Sequence, residues 1–193
     1  VYLQAIEETL AAGRQALVLV PEITLTHQIV ARLRARFGDE VAVLHSGLKP
    51  GERLAQWERL RTRQTAIAVG ARSALFAPLE ALGLVVIDEE HDGAYKNEEG
   101  FRYHARELAE RRAAQANCPL VLGSATPSLE SRWRAEQGEL CRLSLPRRVG
   151  GRPLPAVEIV DLAKEKAKSP RGRKAILSRP LRRAVESALA AGG

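Results

Sequence analysis

The sequence predicts an α/β domain with a mainly parallel sheet and helices on both faces. Three observations point there. Strand-like and helix-like patterns alternate from Val1 to about Ser144. The strand-like runs are almost continuously apolar, as in strands buried on both faces. Several of them run straight into short polar motifs, and open α/β sheets bind ligands at the carboxyl ends of their strands.

Taken in order, strands are expected at 16–20, 41–44, 65–69, 84–88, 120–123 and, more weakly, 140–145. Helices are expected at 2–12, 26–37, 51–63, 104–116 and 129–136. Gly13 and Gly38 are good stops for the first two helices, and Pro50 and Pro127 fit helix starts. Composition shifts after Pro146. Residues 147–153 read as a basic connector, 157–162 could add one strand, and 164–174 read as a solvated loop rich in Lys and Arg. A last helix is expected from 178 to 190, with Leu181, Val185 and Leu189 spaced to form one apolar stripe.

The chain has 193 residues, enough for one domain with a substantial core or for one domain plus part of a second. Its formal charge of +7 and pI near 9.9 favour an anionic partner. No apolar run is long enough to cross a bilayer and no signal-peptide pattern opens the chain, so a cytoplasmic, membrane-free protein is expected. Cys118 and Cys141 are too few and too far apart for a zinc motif or a disulfide framework.

The most informative stretch is Leu84-Val85-Val86-Ile87-Asp88-Glu89-Glu90-His91. A buried strand here delivers two acids and a histidine to a carboxyl end. An Asp in that place can hold Mg²⁺ against nucleotide phosphates, and the next Glu can orient an attacking water. Taken alone, the same residues could be a strand entering a solvated acidic turn. Gly123-Ser124-Ala125-Thr126-Pro127 follows at the end of another apolar strand. The ordered pair resembles motifs II and III of a superfamily 2 helicase motor lobe.

Other strand ends carry weaker signals. Pro21 closes the first strand, and Thr24 or Thr26 can cap the next helix, whose free N–H groups also suit a phosphate. In its place before the acidic motif this segment resembles helicase motif Ia, which grips single-strand backbone. Arg72 and Ser73, after Gly70, can pair a phosphate, although the segment taken alone reads better as a polar loop with a satisfied Arg. His45-Ser46-Gly47 reads as a capped turn. Residues 95–106 place Tyr95, Phe101 and Tyr103 among Lys96, Arg102, His104 and Arg106, in a chain with two Trp, three Tyr and three Phe. Rings stack on bases for about 1–3 kcal/mol each while cations hold the backbone. The bland alternative is a helix start with Phe101 and Tyr103 tucked into the core.

Together, Asp88-Glu89-Glu90-His91-Asp92, Tyr95-Lys96, Gly100 and Arg102-Tyr103-His104-Ala105-Arg106 resemble the PriA family of replication-restart helicases. Leu17 to Ile23, Leu44-His45-Ser46-Gly47-Leu48, Arg72-Ser73-Ala74-Leu75-Phe76 and Gly123 to Glu130 match it in order. The resemblance implies a RecA-like P-loop NTPase lobe with ATP and Mg²⁺ as cofactors. It implies catalytic roles for Asp88, Glu89 and His91, with Asp88 toward Mg²⁺ and Ser124 and Thr126 also at the nucleotide. DNA contacts are implied for Thr24, Thr26, Arg72, Ser73, Tyr95, Lys96, Phe101, Arg102, Tyr103 and Arg106. The family's segment around Phe101 couples DNA binding to ATP hydrolysis, and often carries Trp or Tyr at that position. Single-stranded and forked DNA and other primosome proteins are the implied partners, in a cytoplasmic, nucleoid-associated setting. The implied parent is a 3′–5′ helicase that restarts stalled forks and binds zinc outside this chain.

One departure matters. None of Lys49, Lys96, Lys164, Lys166, Lys168 and Lys174 follows a glycine, so these residues hold no Walker A loop. The resemblance places that loop just before Val1. The expected organisation is therefore residues 1–145 as motor lobe 1 without its phosphate loop, 146–177 as a basic linker, and 178–193 as the truncated opening helix of lobe 2. On this reading the 193 residues alone lack ATPase activity. A stand-alone DNA-binding module, an inert gene product and a motor lobe of another superfamily 2 helicase are the alternatives.

Overall fold

The structure, a computed structural model, describes residues 1–21, 28–146, 156–167 and 177–191. The chain divides into two compact units, residues 1–142 and 143–193.

The first unit is a five-stranded, all-parallel sheet. Its strands are β1 (Gln15–Leu19), β2 (Val41–Leu44), β3 (Ile67–Gly70), β4 (Leu82–Ile87) and, after a two-stranded hairpin of β5 (Lys96–Asn97) and β6 (Tyr103–His104), β7 (Leu120–Leu122). The spatial order is β2-β3-β1-β4-β7. Helices α1 (Tyr2–Ala11), α2 (Gln28–Phe37), α3 (Pro50–Arg61), α4 (Ala105–Gln115) and α5 (Leu129–Glu136) complete the unit.

Burial on both faces follows from the strand composition. Leu17, Leu19, Val85 and Ile87 point into one cluster with Leu60 of α3 and Ala105, Ala109 and Ala113 of α4. Ala16, Val18, Leu84 and Val86 point the other way, against Ile6 of α1 and Leu33 of α2. Each fully buried Leu, Ile or Val contributes about 1.5–3 kcal/mol of transfer free energy. The alanine face of α4 lets that helix lie close to the sheet. Gly70 ends β3 where a Cβ would sit 2.1 Å from the Leu44 carbonyl oxygen, so no side chain fits there. Gly13 and Gly38 take positive φ at the helix ends, 69° and 55°.

Because every strand of the sheet runs the same way, the loops after β2, β3, β4 and β7 gather at one edge. This parallel arrangement is the fold class expected from the sequence. Element bounds shift by at most two residues, and β2 and α5 fall on their expected bounds.

Three expectations are corrected. Residues 140–145 form no strand: Leu143 and Leu145 are exposed and the chain there has no ladder partner among the described residues. Residues 157–162 form none either. Val157 and Ile159 stand exposed, and Leu162 opens the short helix α6 (Leu162–Ala167), whose first N–H groups, Ala163 and Lys164, are accepted by Asp161 Oδ1 at 2.9 and 3.3 Å. The loop expected from Lys164 therefore begins as helix. In the second unit α7 (Arg179–Ala190) is capped by Ser178 and leaves Leu181, Val185 and Leu189 exposed. Thr24, Thr26 and the basic connector at 147–153 lie outside the described residues.

Candidate functional site

β4 and β7 are neighbours in the sheet, with Ile87 opposite Leu122. That pairing alone sets the acidic loop beside the Gly123–Thr126 turn, and the Glu90 N–H donates to the Gly123 carbonyl at 3.0 Å. His91 joins the two motifs. Its Nδ1 lies 2.7 Å from Ser124 Oγ and its Nε2 3.3 Å from Thr126 Oγ1, while Glu89 Oε2 is 3.6 Å from Nδ1. The Thr126 N–H donates to Ser124 Oγ at 3.0 Å. Glu89 is held at φ +48°, a left-handed backbone that an L residue adopts at a cost of about 1–3 kcal/mol. The left-handed turn falls between half-buried Asp88 and exposed His91.

Two tyrosines fix Asp88. The Tyr95 hydroxyl donates to the Asp88 carbonyl oxygen at 2.5 Å, and the Tyr2 hydroxyl donates to Asp88 Oδ1 at 2.9 Å. Gly123 makes room for Tyr2, since a Cβ there would lie 1.5 Å from the phenol oxygen. Burial, and then the negative charge of Asp88, push both tyrosines well above the ordinary phenol range, so both stay protonated donors. The contact of Tyr2 with Asp88 spans 86 positions, and no sequence pattern announced it.

Beneath the rim lies a buried network that the sequence reading also missed. Glu90 is 2% exposed. It accepts from the Ser128 N–H at 2.7 Å, the Ser128 and Ser131 hydroxyls at 3.1 and 3.0 Å, and Arg106 Nη1 at 2.8 Å. Burial pushes the Glu90 carboxyl up, but these donors together outweigh it and hold it below its ordinary value. Ser128 is also the cap of α5. The Ser-x-x-Ser spacing at that helix start was the one available hint.

Two site expectations are corrected. Arg106 does not face DNA: its side chain is only 12% exposed and is taken up by Glu90, Ser128 and Ser131. Tyr95 does not stack on a base either, because its ring is fully buried and its hydroxyl holds Asp88.

The rest of the aromatic segment is a hairpin standing out from the sheet edge, with Lys96 opposite His104 and Asn97 opposite Tyr103. Asn97 Nδ2 ties its tip by donating to the Glu99 and Phe101 carbonyls at 2.9 and 2.7 Å, and Gly100 turns the tip at φ +61°. Phe101 is 74% exposed, which removes the core alternative for that ring; Tyr103 is half-buried beside it, with ring centroids 5.9 Å apart. Lys96 and Arg102 are exposed. Arg72 donates to the Lys96 carbonyl at 2.8 Å, bracing the hairpin from the loop after β3, and Ser73 beside it is exposed. Those two also line a cleft of about 430 Å³ with His45, Ser46, Arg53 and Trp57. The structure thus gathers Asp88, Glu89, His91, Ser124 and Thr126 in one group, and Arg72, Lys96, Phe101, Arg102 and Tyr103 around another.

The chain is 49% identical over its full length to replication restart protein PriA of Bacillus subtilis (strain 168), and spans 24% of that protein. It is 50% identical over 86% of its length to replication restart protein PriA of Treponema pallidum (strain Nichols), spanning 25% of it. The chain therefore covers about a quarter of the curated relatives it matches. Among solved structures, the crystal structure of the Pyrococcus furiosus Hef helicase domain is similar at a TM-score of 0.50 and 26% identity, over 70% of this chain and 29% of that one. The parallel sheet is accordingly that of a RecA-like helicase lobe. The model of the DEAD/DEAH box helicase family matches residues 1–132, and the chain belongs to that family.

Proposed function

We propose that this chain is most of the first motor lobe of a PriA-type, ATP-dependent DNA helicase, in which Asp88 and Glu89 serve the nucleotide and the hairpin around Phe101 serves single-stranded DNA. The observation that carries the reading is the His91 bridge to Ser124 and Thr126, which binds the two motifs at the sheet edge. It gives the acidic loop and the Gly123–Thr126 turn one shared geometry, as a motor needs if nucleotide state is to reach other loops.

Asp88 suits a Mg²⁺ that arrives with nucleotide. Among the described residues no group of three or more His, Cys, Asp or Glu could hold a metal by itself. Mg²⁺ in ATPase sites takes one or two protein carboxylates and fills its shell with phosphates and waters. Asp88, half-buried and fixed by Tyr2 at one oxygen, is such a carboxylate. When bound, the ion would neutralise charge developing on the phosphates. Glu89, held at the rim by its backbone turn, is placed to orient water. His91, Ser124 and Thr126 hold the two motif loops in register.

The finer reading rests on similarity and on residue chemistry. The parent protein translocates 3′–5′ along single strands, acts with other primosome proteins at forked DNA in the cytoplasm near the nucleoid, and carries its zinc outside these residues. Residues 1–145 are lobe 1, 146–177 a linker, and 178–193 the opening helix of lobe 2. These 193 residues contain no Gly-Lys-Thr loop, so by themselves they do not turn over ATP.

The test pairs two proteins: this chain, and the same chain extended at its start by a Gly-Lys-Thr phosphate loop and at its end by a second lobe. The first should show background phosphate release with saturating single-stranded DNA. The second should show DNA-stimulated turnover that Glu89→Gln abolishes while nucleotide still binds. Turnover near one per second by the first, within the ordinary enzyme range, or full activity of Glu89→Gln in the second, would contradict the assignment.

A further inference from the structure

The hairpin is not the only source of exposed rings at this edge. The loop after β3 forms a tight 3₁₀ turn, Arg72–Phe76, and ends on Phe76, which is 49% exposed. Its neighbours Ala74 and Leu75 are buried, so the turn is anchored and the exposure of Phe76 does not come from a dangling chain. Phe76 meets Tyr103 edge-on, with centroids 5.5 Å apart and planes at 74°. Tyr103 in turn touches Phe101 at 5.9 Å. The rings Phe76, Tyr103 and Phe101 therefore form one continuous strip from two different loops, with the half-buried Tyr103 as its shared wall.

Two arginines hold those loops in fixed relation. Arg72, from the same turn as Phe76, donates to the Lys96 carbonyl of the hairpin at 2.8 Å. Arg112, from α4, donates to the Leu75 carbonyl and, at 2.6 Å, to that of Ala77, pinning the end of the turn to the helix that follows the hairpin. An exposed, rigid ring loses little conformational entropy when a flat ligand settles on it. Exposed cations, Lys96 and Arg102, lie on the same hairpin.

We propose that Phe76 is a second base-stacking residue, so that single-stranded nucleic acid is held by a two-loop aromatic platform, with one base on Phe101 and another on Phe76. The proposal rests on the DNA-binding reading given above and extends it to a residue outside the hairpin. Stacking on a phenyl face takes any base, so the platform has no sequence preference. It also gives the loop after β3 a direct hold on the strand, beyond any phosphate contact by Arg72 or Ser73.

The experiment uses the 193-residue chain and two fluorescent 15-mers in anisotropy titrations at low salt: oligo-dT, and an abasic strand with the same phosphate backbone. Phe76→Ala should weaken oligo-dT binding by about 5- to 150-fold, the range for loss of one stacked base. It should leave abasic-strand binding unchanged, and Phe76→Tyr should restore wild-type affinity. Phe76→Leu keeps apolar bulk without a π face, and should match Phe76→Ala in binding with a wild-type melting curve. If Phe76→Leu binds oligo-dT as wild type does while Phe101→Ala is impaired, the proposal is overturned and the DNA reading stands. Equal losses on both strands would also overturn it, because the ring would then be supporting the backbone contacts. If the wild-type chain binds neither strand, the DNA-binding reading itself fails.

Discussion

The connection leaving β4 holds two regions of opposite character within sixteen residues. From Asp88 to Tyr95 the chain is tied down: Asp88 by two phenols, Glu90 by four donors, His91 by two hydroxyls. From Lys96 to Tyr103 it projects into solvent and is secured mainly through its backbone, by the Asn97 amide at the tip and Arg72 at the base. On the proposed function, the difference separates machinery that must hold atoms in place from a surface that must accept a variable ligand. Sequence adjacency hides that boundary. Tyr95 and Phe101 are both aromatic and six positions apart, yet one ring is fully buried and the other 74% exposed.

The largest effect is expected in the buried network. Arg106→Ala would leave the buried Glu90 carboxylate with its three serine donors but no cation, and removing one partner of a buried pair costs about 3–5 kcal/mol. Urea unfolding should show a loss of that size. A loss below about 1 kcal/mol would mean that water reaches the pair freely, and that Arg106 is available for other partners.

A smaller effect is expected at the Asp88 clamp. Gly123→Ala forces a Cβ into the Tyr2 hydroxyl, and overpacking of this kind costs about 1–3 kcal/mol. Tyr2→Phe removes one hydrogen bond at about 0.5–1.5 kcal/mol. Because the two side chains meet, the double variant should be less destabilised than the sum of the singles. Strict additivity in a double-mutant cycle would show that Tyr2 does not occupy the space above Gly123.

The smallest effect sharpens the border between the regions. His104 ends the hairpin and caps α4, its Nδ1 accepting the Arg106 N–H at 3.3 Å. Burial, then the charge of Arg106, hold its pKa below the ordinary 6.5. A depressed His pKa means that the folded state binds fewer protons than the unfolded one. The stability is then fully present above pH 6.5 and declines as pH falls below it. Melting curves from pH 8 to pH 5 should show this decline in the wild type and a smaller one in His104→Asn. An identical pH dependence in both would remove His104 as its source.

Much of the scaffold was legible because both signals were local. Continuous apolar runs named the five strands, and glycines and prolines marked the helix ends. The failures at 140–145 and 157–162 share one cause: β-favouring residues make a strand only where a neighbouring strand offers its N–H and C=O groups. At the candidate site, the grouping of Asp88, Glu89 and His91 could be read because the three residues follow directly on a strand end. Tyr2, Glu90, Ser128 and Ser131 could not, since their roles come from strand order and helix placement. Arg106 was misassigned for the same reason, because a cation in a basic stretch looks solvated until its buried acid is seen.

The most direct measurement is a thermal melt and a DNA titration on Phe101→Ala in this chain. An exposed, stacking Phe101 predicts a melting temperature nearly unchanged, together with single-stranded DNA binding weakened by about 1–3 kcal/mol. The wild-type affinity should itself fall steeply as salt rises, as phosphate neutralisation requires. A buried Phe replaced by Ala loses about 3–5 kcal/mol of stability. A large drop in melting temperature with no defect in DNA binding would place Phe101 in the core and contradict the account.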